Sequence, residues 1–221
     1  MIDQLIIGGK ASYDDFEASV KERTIEAPAK KTIKESVPFS NKVYDFSAIN
    51  GEVYWNERTL TYVFEITADS PEELERKKQG FMSWVMNVMA EELHDPFITD
   101  YHFIATYNGI TIDDSEIEKS TIEVNFTAYP YMISNERKFY SKNIGATSQT
   151  IKVENNSSHR VSATLTSTVP FNITKDNTTI SFPSGTISND QFMLDVGVNS
   201  FSVVSPSGNG TFTIGFYEEV F

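Results

Sequence analysis

The chain has 221 residues, a formal net charge of −13 and a hydrophobic content of 39%. That length is enough for one large or two modest domains with buried cores. The absence of cysteine excludes disulfides and every cysteine-ligated zinc or iron–sulfur site. An acidic chain repels the phosphate backbone, so direct binding of nucleic acid is not expected. The simplest interpretation of this charge is that it keeps the protein soluble. The alternative is that it forms an acidic inner surface past which DNA can move without binding.

Targeting signals are not evident in the sequence. No apolar run approaches the roughly 20 residues that a membrane-spanning helix needs. The first residues lack the basic flank and long apolar core of a signal peptide. We therefore expect a globular protein, made and assembled in a cytoplasm, without a membrane partner.

The N-terminal part is predicted to contain an extended arm. The segment Thr24–Phe39 is lysine-rich and punctuated by prolines, a pattern that is hard to stabilise without a partner. We expect the arm to reach a neighbouring subunit; the alternative is a loop folded on its own domain. Turns are predicted at Gly8-Gly9, where nothing else suggests a phosphate-binding loop, and at Asn50-Gly51.

A helix is predicted to begin at Ser70, because Ser70-Pro71-Glu72-Glu73 is a capping box. Asp95-Pro96 is the predicted end. Gly80 weakens the middle by about 1 kcal/mol, so packing must hold the helix. Seven residues recur at helical spacing and form one stripe along the predicted helix: Leu74, Lys77, Phe81, Trp84, Val85, Val88 and Met89. This stripe is interpreted as core packing, with a groove for a partner as the alternative.

Alternating strands flank this helix. The strand before it places alternate residues of 60–66 on one face. After it, Tyr101–Tyr107 alternates up to a predicted turn at Asn108-Gly109, and Thr121–Ala128 alternates again. The inward residues are Leu60, Tyr62, Phe64, Ile66, Ile122, Val124, Phe126 and Ala128. We predict an α+β N-terminal domain, a mostly antiparallel sheet covered on one face by one long helix.

Composition changes at Tyr129-Pro130-Tyr131, after which the chain is rich in Ser, Thr and Asn. We therefore predict two domains, residues 1–133 and 134–221. The many short runs of the second domain, separated by Asn, Gly and Pro, predict an all-β sandwich of two sheets. The candidate strands are Thr150–Glu154, Val161–Thr166, Thr179–Phe182, Gln191–Asp195, Ser200–Val204 and Thr211–Tyr217, with turns that include Asn155-Asn156 and Asp176-Asn177.

No set of residues predicts catalysis, a metal or a cofactor. The histidines His94, His102 and His159 are far apart in sequence, without a partner at ligand spacing. The carboxylate-rich run Asp113–Glu118 lacks the glycine and ligand order of an EF-hand; it is interpreted as a solvated loop, with weak calcium binding as the alternative. We therefore expect a protein that binds or builds, and not an enzyme.

The order of several short motifs resembles that of the distal tail proteins of long-tailed, non-contractile bacteriophages. The likeness covers nearly the whole chain, although each motif alone is weak. Phe39-Ser40 departs from it, because a glycine is expected after Val37-Pro38. The matching motifs are Val37-Pro38, Asp45-Phe46-Ser47, Tyr54 with Arg58, the helix from Ser70, Phe126-Thr127-Ala128-Tyr129-Pro130-Tyr131, and Leu194–Phe201 with its Leu-x-x-Gly-x-Asn pattern.

The resemblance implies a structural virion protein at the tail tip: a homohexameric ring around a DNA channel, with galectin-like sandwiches at the periphery. Its expected partners are further copies of itself, the tail-tube protein, the tape-measure protein, the tail-associated hub or lysin protein, and receptor-binding proteins outside. A cyclic ring needs a heterologous interface between unlike patches. The candidate interface residues are Ile25, Pro28, Ile33, Val37, Pro38, Phe39, Phe46, Tyr54 and Arg58.

Two other functions can be weighed against this one. A carbohydrate-binding module acting in attachment to the host cell wall would suit a sandwich, but Trp55 and Trp84 both lie in the first domain. The sandwich offers only Tyr140 and Tyr217, besides phenylalanines that alternate like core residues. A cell-wall hydrolase would need a pair of carboxyl groups at catalytic spacing, and none is predicted.

Overall fold

The computed structural model describes residues 3–48 and 51–221. In these residues the chain is mostly β-strand with one α-helix, which confirms the prediction of a β-rich fold. The chain divides into two compact units, one running to Met132 and including Phe221, the other Ile133–Val220. The turn predicted at Asn50-Gly51 lies partly outside the described residues.

The first unit is built on one antiparallel sheet. Along its main path seven strands lie in the order β2-β1-β7-β8-β9-β6-β3, and β4 pairs with β5 apart from it. The strands are β1 (Ile6–Ile7), β2 (Lys10–Ala11), β3 (Ala18–Ile25), β4 (Lys34–Ser36), β5 (Val43–Asp45), β6 (Arg58–Thr67), β7 (Glu91–His94), β8 (Tyr101–Asp113) and β9 (Lys119–Ala128), and helix α1 is Pro71–Val85.

Strict alternation in the two central strands creates the core of this unit. All eight inward residues predicted on β6 and β9 are buried, because alternate side chains of a strand leave on the same face. Helix α1 adds Leu74, Phe81 and Val85 to the same cluster. The Phe64 and Phe81 rings are 4.9 Å apart, so strand and helix share one apolar contact.

The predicted start of the helix is confirmed, and its predicted end is wrong. The Ser70 hydroxyl accepts a hydrogen bond from the backbone N–H of Glu73 at 3.3 Å. The helix ends at Val85, and Ala90 takes a left-handed φ of +53° that a helix cannot contain. Residues Glu91–His94 then pair with β8 instead of continuing the helix.

The predicted helical stripe also needs two corrections. Met89 lies beyond the helix and is 76% exposed. Lys78, and not Lys77, is the buried lysine of the helix. Its ammonium group donates to carboxylate oxygens of Asp114 and Glu75, both at 2.7 Å, which compensates for its burial.

The turn predicted at Asn108-Gly109 is wrong. Strand β8 runs through both residues, and its register against β9 shifts between Tyr107 and Gly109, which marks a β-bulge. An Asn-Gly pair makes a tight hairpin only when both residues take positive φ, and neither does so here. The chain reverses after Asp113 instead, on the way to β9.

The second unit contains two four-stranded sheets, β11-β18-β13-β16 and β12-β17-β14-β15. Residues of both sheets form one core that includes Leu165, Phe171, Phe201 and Phe212. The strands are β10 (Met132–Ser134), β11 (Lys138–Ile144), β12 (Gln149–Asn155), β13 (Val161–Ser167), β14 (Phe171–Lys175), β15 (Thr178–Phe182), β16 (Gly185–Leu194), β17 (Gly197–Val204), β18 (Gly210–Phe216) and β19 (Glu219–Val220).

All six strands predicted in this unit are present, whereas β10, β11, β14 and β19 were not predicted. The predicted turn at Asp176-Asn177 is confirmed, since both residues have positive φ, +50° and +62°, between the paired strands β14 and β15. Such a two-residue turn matches the twist of a hairpin.

The Leu-x-x-Gly-x-Asn passage forms the turn between β16 and β17. Gly197 has a φ of +88°, which favours glycine. The buried Asn199 amide donates to the carbonyl oxygens of Asp195 at 2.7 Å and Gly197 at 3.1 Å. Its own oxygen accepts from the Asp195 N–H at 2.9 Å and from Lys175 at 3.0 Å. The pattern is therefore a structural device that closes one hairpin of the sandwich.

Candidate subunit interface

The predicted arm, Thr24–Phe39, begins inside β3 with Thr24 and Ile25, and its later residues form one side of an exposed β-hairpin. Strands β4 and β5 pair in antiparallel register, from Lys34 opposite Asp45 to Ser36 opposite Val43. All residues from 29 to 46 are exposed. We call residues 30–48 the hairpin arm. A two-stranded hairpin alone has little stability in water, so the arm is suited to contact something beyond its own chain.

The tip of the hairpin arm holds a phenylalanine in a strained conformation. The Val37 carbonyl accepts a hydrogen bond from the Ser40 N–H at 3.1 Å, which closes a turn around Pro38 and Phe39. Phe39 has a φ of +64° at a position where such turns prefer glycine. Its side chain is fully exposed. Phe39, which stands where the motif would have a glycine, therefore destabilises the turn, and no contact in its own chain offsets this cost.

Apolar side chains line the rest of the hairpin arm. The Tyr44 and Phe46 rings stack with their centroids 6.4 Å apart and remain about half exposed. Exposed apolar side chains gathered on one element are typical of surfaces that bind a protein, a membrane or a ligand. The exposed apolar residues are Ile33, Val37, Phe39, Val43, Tyr44 and Phe46, joined by Val53 and Tyr54 near the base.

Hydrogen bonds hold the base of the hairpin arm to the first unit. The Lys31 N–H donates to the Tyr54 carbonyl, and the Asn56 N–H to the Ala29 carbonyl, both at 2.8 Å. The Lys30 ammonium lies 5.8 Å from the centroid of the Trp55 ring. The arm is therefore anchored at its base and exposed along its length.

The predicted interface residues separate into two groups. Five of them are exposed on or beside the hairpin arm together with Pro38: Ile33, Val37, Phe39, Phe46 and Tyr54. Ile25 is half-buried in β3 opposite Leu60, and Pro28 is buried. Sequence reasoning missed Val43 and Tyr44, although their position in the return strand of a hairpin could have indicated them.

Arg58 is buried within its own subunit, so the single chain does not present it to a neighbour. It lies on β6 on the same face as Leu60, which directs its side chain inward. The guanidinium donates to the Pro130 carbonyl and lies 5.6 Å from the centroid of the Phe103 ring. Burial lowers its pKa. Arg58 is therefore not part of the exposed surface.

The groups weighed for metal binding are used in contacts within the chain. Asp114 belongs to the carboxylate-rich run Asp113–Glu118. It accepts hydrogen bonds from the Lys78 ammonium and from the Ser120 hydroxyl, both at 2.7 Å. These bonds hold the pKa of Asp114 below its ordinary value. His94 and His102 have ring centroids 5.2 Å apart on the neighbouring strands β7 and β8, so the expectation that the histidines lie apart is wrong for this pair. Within residues 3–48 and 51–221, no three histidine or carboxylate groups gather as a metal site would require.

The same part of the chain contains no helix that is long and apolar enough to cross a membrane.

Comparisons with known proteins identify the fold. No protein-family model and no curated protein sequence matches the chain. Among solved structures, it is similar to the Dit protein (gp 19.1) of phage SPP1, described as a paradigm of the hub adsorption apparatus in phages that infect Gram-positive hosts. That likeness has a TM-score of 0.70 at 11% sequence identity and covers 98% of this chain and 99% of that chain.

Two structures of the phage P2 baseplate in its activated conformation also match, at lower similarity. The structure with Ca has a TM-score of 0.43 at 9% identity over 97% of this chain and 98% of that chain. The structure with Sr has a TM-score of 0.44 at 9% identity over 98% of both chains. The fold is assigned from the likeness to SPP1 Dit.

Proposed function

We propose that this chain is a distal tail protein of a siphophage, a structural component that forms a homohexameric ring at the tail tip. The observation that carries the proposal is the fold likeness to SPP1 Dit, which spans both units and nearly all of each chain. The exposed hairpin arm supports it independently, because a strained apolar tip has no function in an isolated subunit. The proposed role is structural, without catalysis.

The rest of the arrangement belongs to the same proposal. The first unit corresponds to a ring-forming domain, residues 1–133, and the second to a galectin-like sandwich, residues 134–221. The ring surrounds a channel through which DNA passes without specific binding, which suits a chain with a net charge of −13. It joins the tail tube to the adsorption apparatus and contacts the tail-tube, tape-measure and hub or lysin proteins. Assembly takes place in the host cytoplasm and the product is part of the virion.

The mass of the protein in solution tests the proposal. Light scattering behind a sizing column, across a concentration series, is expected to give a species six times the 24.9 kDa of one chain. A concentration series is needed because assembly follows mass action. A chain that remains monomeric at all concentrations, including in the presence of the tail-tube protein, would contradict the proposal.

Carbohydrate binding by the second unit is a second candidate, favoured by one surface. Phe139 is 61% exposed and Tyr217 is 44% exposed. The Arg137 guanidinium lies 5.2 Å from the first ring centroid and 5.7 Å from the second. The expectation that the phenylalanines of this unit all alternate like core residues is therefore wrong for Phe139. Exposed aromatic rings beside an arginine are the side chains that a sugar ring can pack against.

A glycan array tests this candidate. If the surface binds sugar, the intact chain gives a saturable signal with a cell-wall saccharide, and Phe139→Ala lowers that signal by on the order of tenfold, as loss of an aromatic anchor does. Phe97→Ala is the control, since Phe97 is 57% exposed in the first unit. No signal from the intact chain, or equal signals from both variants, would remove the candidate.

A further inference from the structure

Gly80 occupies an exposed position inside helix α1 where its own chain does not require a glycine. A Cβ added there would meet only the Phe16 Cδ1 atom, at 3.9 Å, which is an ordinary contact distance. Glycine weakens a helix interior relative to alanine or leucine. The helix therefore carries a local cost that no contact within the chain explains.

The same glycine opens a cleft of about 400 Å³ in the first unit. The Phe16 and Trp84 rings stack at 4.7 Å and form an aromatic wall beside Gly80. The buried Val88 adds an apolar surface, and Glu91 stands at the rim. The full lining is Ile7, Gly8, Lys10, Phe16, Gly80, Ser83, Trp84, Asn87, Val88 and Glu91.

Phe39 shows the opposite irregularity. It places a bulky side chain where a turn prefers glycine, and that side chain contacts none of its own core. Gly80 thus lacks a side chain that the helix would favour, whereas Phe39 carries a side chain that the turn disfavours. Each irregularity would be explained if the two positions meet in an assembly.

We propose that Phe39 of one copy inserts into the Gly80 cleft of the next copy. The inference rests on the ring of the proposed function and names the contact that closes it. An aromatic side chain packs well against the edge or face of a stacked pair such as Phe16 and Trp84. The missing side chain at Gly80 lets the ring approach the helix backbone closely. The contact joins unlike patches, as a cyclic ring requires.

Charge favours a second copy as the occupant. Each copy has a net charge of −13, so two copies repel one another except where a basic element faces an acidic one. The hairpin arm is such an element, with four lysines, Lys30, Lys31, Lys34 and Lys42, against two acids, Glu35 and Asp45. The lining of the cleft holds one acid, Glu91, and one cation, Lys10. The arm is therefore attracted by the acidic copy as a whole and is not repelled at the cleft.

A second cleft, of about 260 Å³, lies in the second unit. Its lining balances Arg160 and Lys175 against Asp176 and Asp195, so charge does not distinguish it. Of these two, the cleft beside Gly80 is preferred because it is larger and includes the stacked Phe16 and Trp84 rings, against which an aromatic side chain packs.

A double-mutant cycle on ring assembly tests the inference. Phe39→Gly removes the inserted side chain and relieves the positive φ, and Gly80→Leu fills the cleft with a good helix former. Neither substitution is expected to lower the melting temperature of the unassembled chain. Each is expected to raise the concentration at which half of the chain is assembled by on the order of tenfold or more, since truncating or blocking an interface anchor has effects of this size.

The double variant distinguishes one shared contact from two independent ones. If Phe39 of one copy contacts Gly80 of the next, the double variant assembles as well as the single variant that assembles less well, because that variant has already lost the same contact. Gln79→Leu is the matched control, which adds the same side chain at the neighbouring exposed position and leaves assembly unchanged.

The possible results separate this inference from the proposed function. A wild-type ring that both single variants form equally well would overturn the docking of Phe39 and leave the ring in place. Losses that add in the double variant would also overturn it, since the positions would then act independently. A wild-type chain that never assembles contradicts both.

Discussion

Removal of the hairpin arm is expected to convert the assembled protein into a folded monomer. In this variant residues Lys34–Asp45 are replaced by a short Gly-Ser linker. These residues are exposed and add little to the core of their own unit, so the melting temperature should change little. Burial of one large apolar side chain contributes about 1.5–3 kcal/mol. The arm exposes several such side chains, so an interface without them should not persist at micromolar concentration.

Light scattering and thermal unfolding measured on the same samples would check this result. The control replaces Val196 and Val198, which are 58% and 68% exposed in the second unit, with serine. This variant loses exposed apolar surface outside the proposed interface and should assemble like the intact chain. A variant without the arm that still assembles would show that the ring does not depend on it.

Substitution of Asp95 is expected to cause a large loss of stability in the first unit. Its buried carboxylate accepts a hydrogen bond from the Tyr62 hydroxyl at 2.8 Å and from the Phe97 N–H at 2.8 Å, and it pairs with the Arg23 guanidinium. Asp95 therefore joins β3, β6 and the loop that follows β7. Burial, together with the charge of Asp95, raises the pKa of Tyr62 well above its ordinary value, so the phenol remains the donor.

Asp95→Ala should lower the free energy of unfolding by about 1.5–3 kcal/mol, because it leaves the buried Tyr62 hydroxyl without the charged acceptor of its hydrogen bond, while Arg23, 31% exposed, can still be solvated. For a chain of this size the melting temperature should fall by roughly 3–12 °C. Scanning calorimetry of both variants would measure this difference. Asp100→Ala is the control: this carboxylate is exposed, and its loss should change the free energy of unfolding by less than about 0.5 kcal/mol. Equal effects of the two substitutions would show that Asp95 does not hold these elements together.

The strands with strict alternation could be predicted because their two faces meet different environments. Strand β6 is an example, since Tyr62 and Phe64 are buried while Thr61 and Val63 are only half-buried. Strand β11 could not be predicted in this way, because only Ile144 among its residues is buried. Strand β14 is short, and the turn after it was recognised while the strand itself was not.

Errors in the first unit arose where tertiary pairing overrides local sequence signals. The stretch after Val85 continues a helical pattern in sequence, but residues Glu91–His94 gain hydrogen bonds by pairing with β8. The Asn108-Gly109 pair has the composition of a hairpin turn, yet the sheet extends across it as a bulge. Neither outcome could be read from the local residues, because both depend on a strand that is distant in sequence.

The candidate interface could be predicted in position but not in shape. Prolines and lysines between Thr24 and Phe39 indicated an arm, whereas the pairing of β4 with β5 came only from the structure. Arg58 was assigned to the interface by motif, although its register with Leu60 on β6 directs it inward. The cleft at Gly80 is formed by residues from β1, the turn before β3 and helix α1, which no sequence window brings together.

Electron microscopy of the purified chain would test the central claim most directly. Two-dimensional class averages of end-on views should show a closed ring of six subunits around a central channel. The account predicts sixfold rings for the intact chain and isolated particles for the chain without the hairpin arm. Open chains, a different number of subunits, or single particles at every concentration, with and without the tail-tube protein, would contradict it.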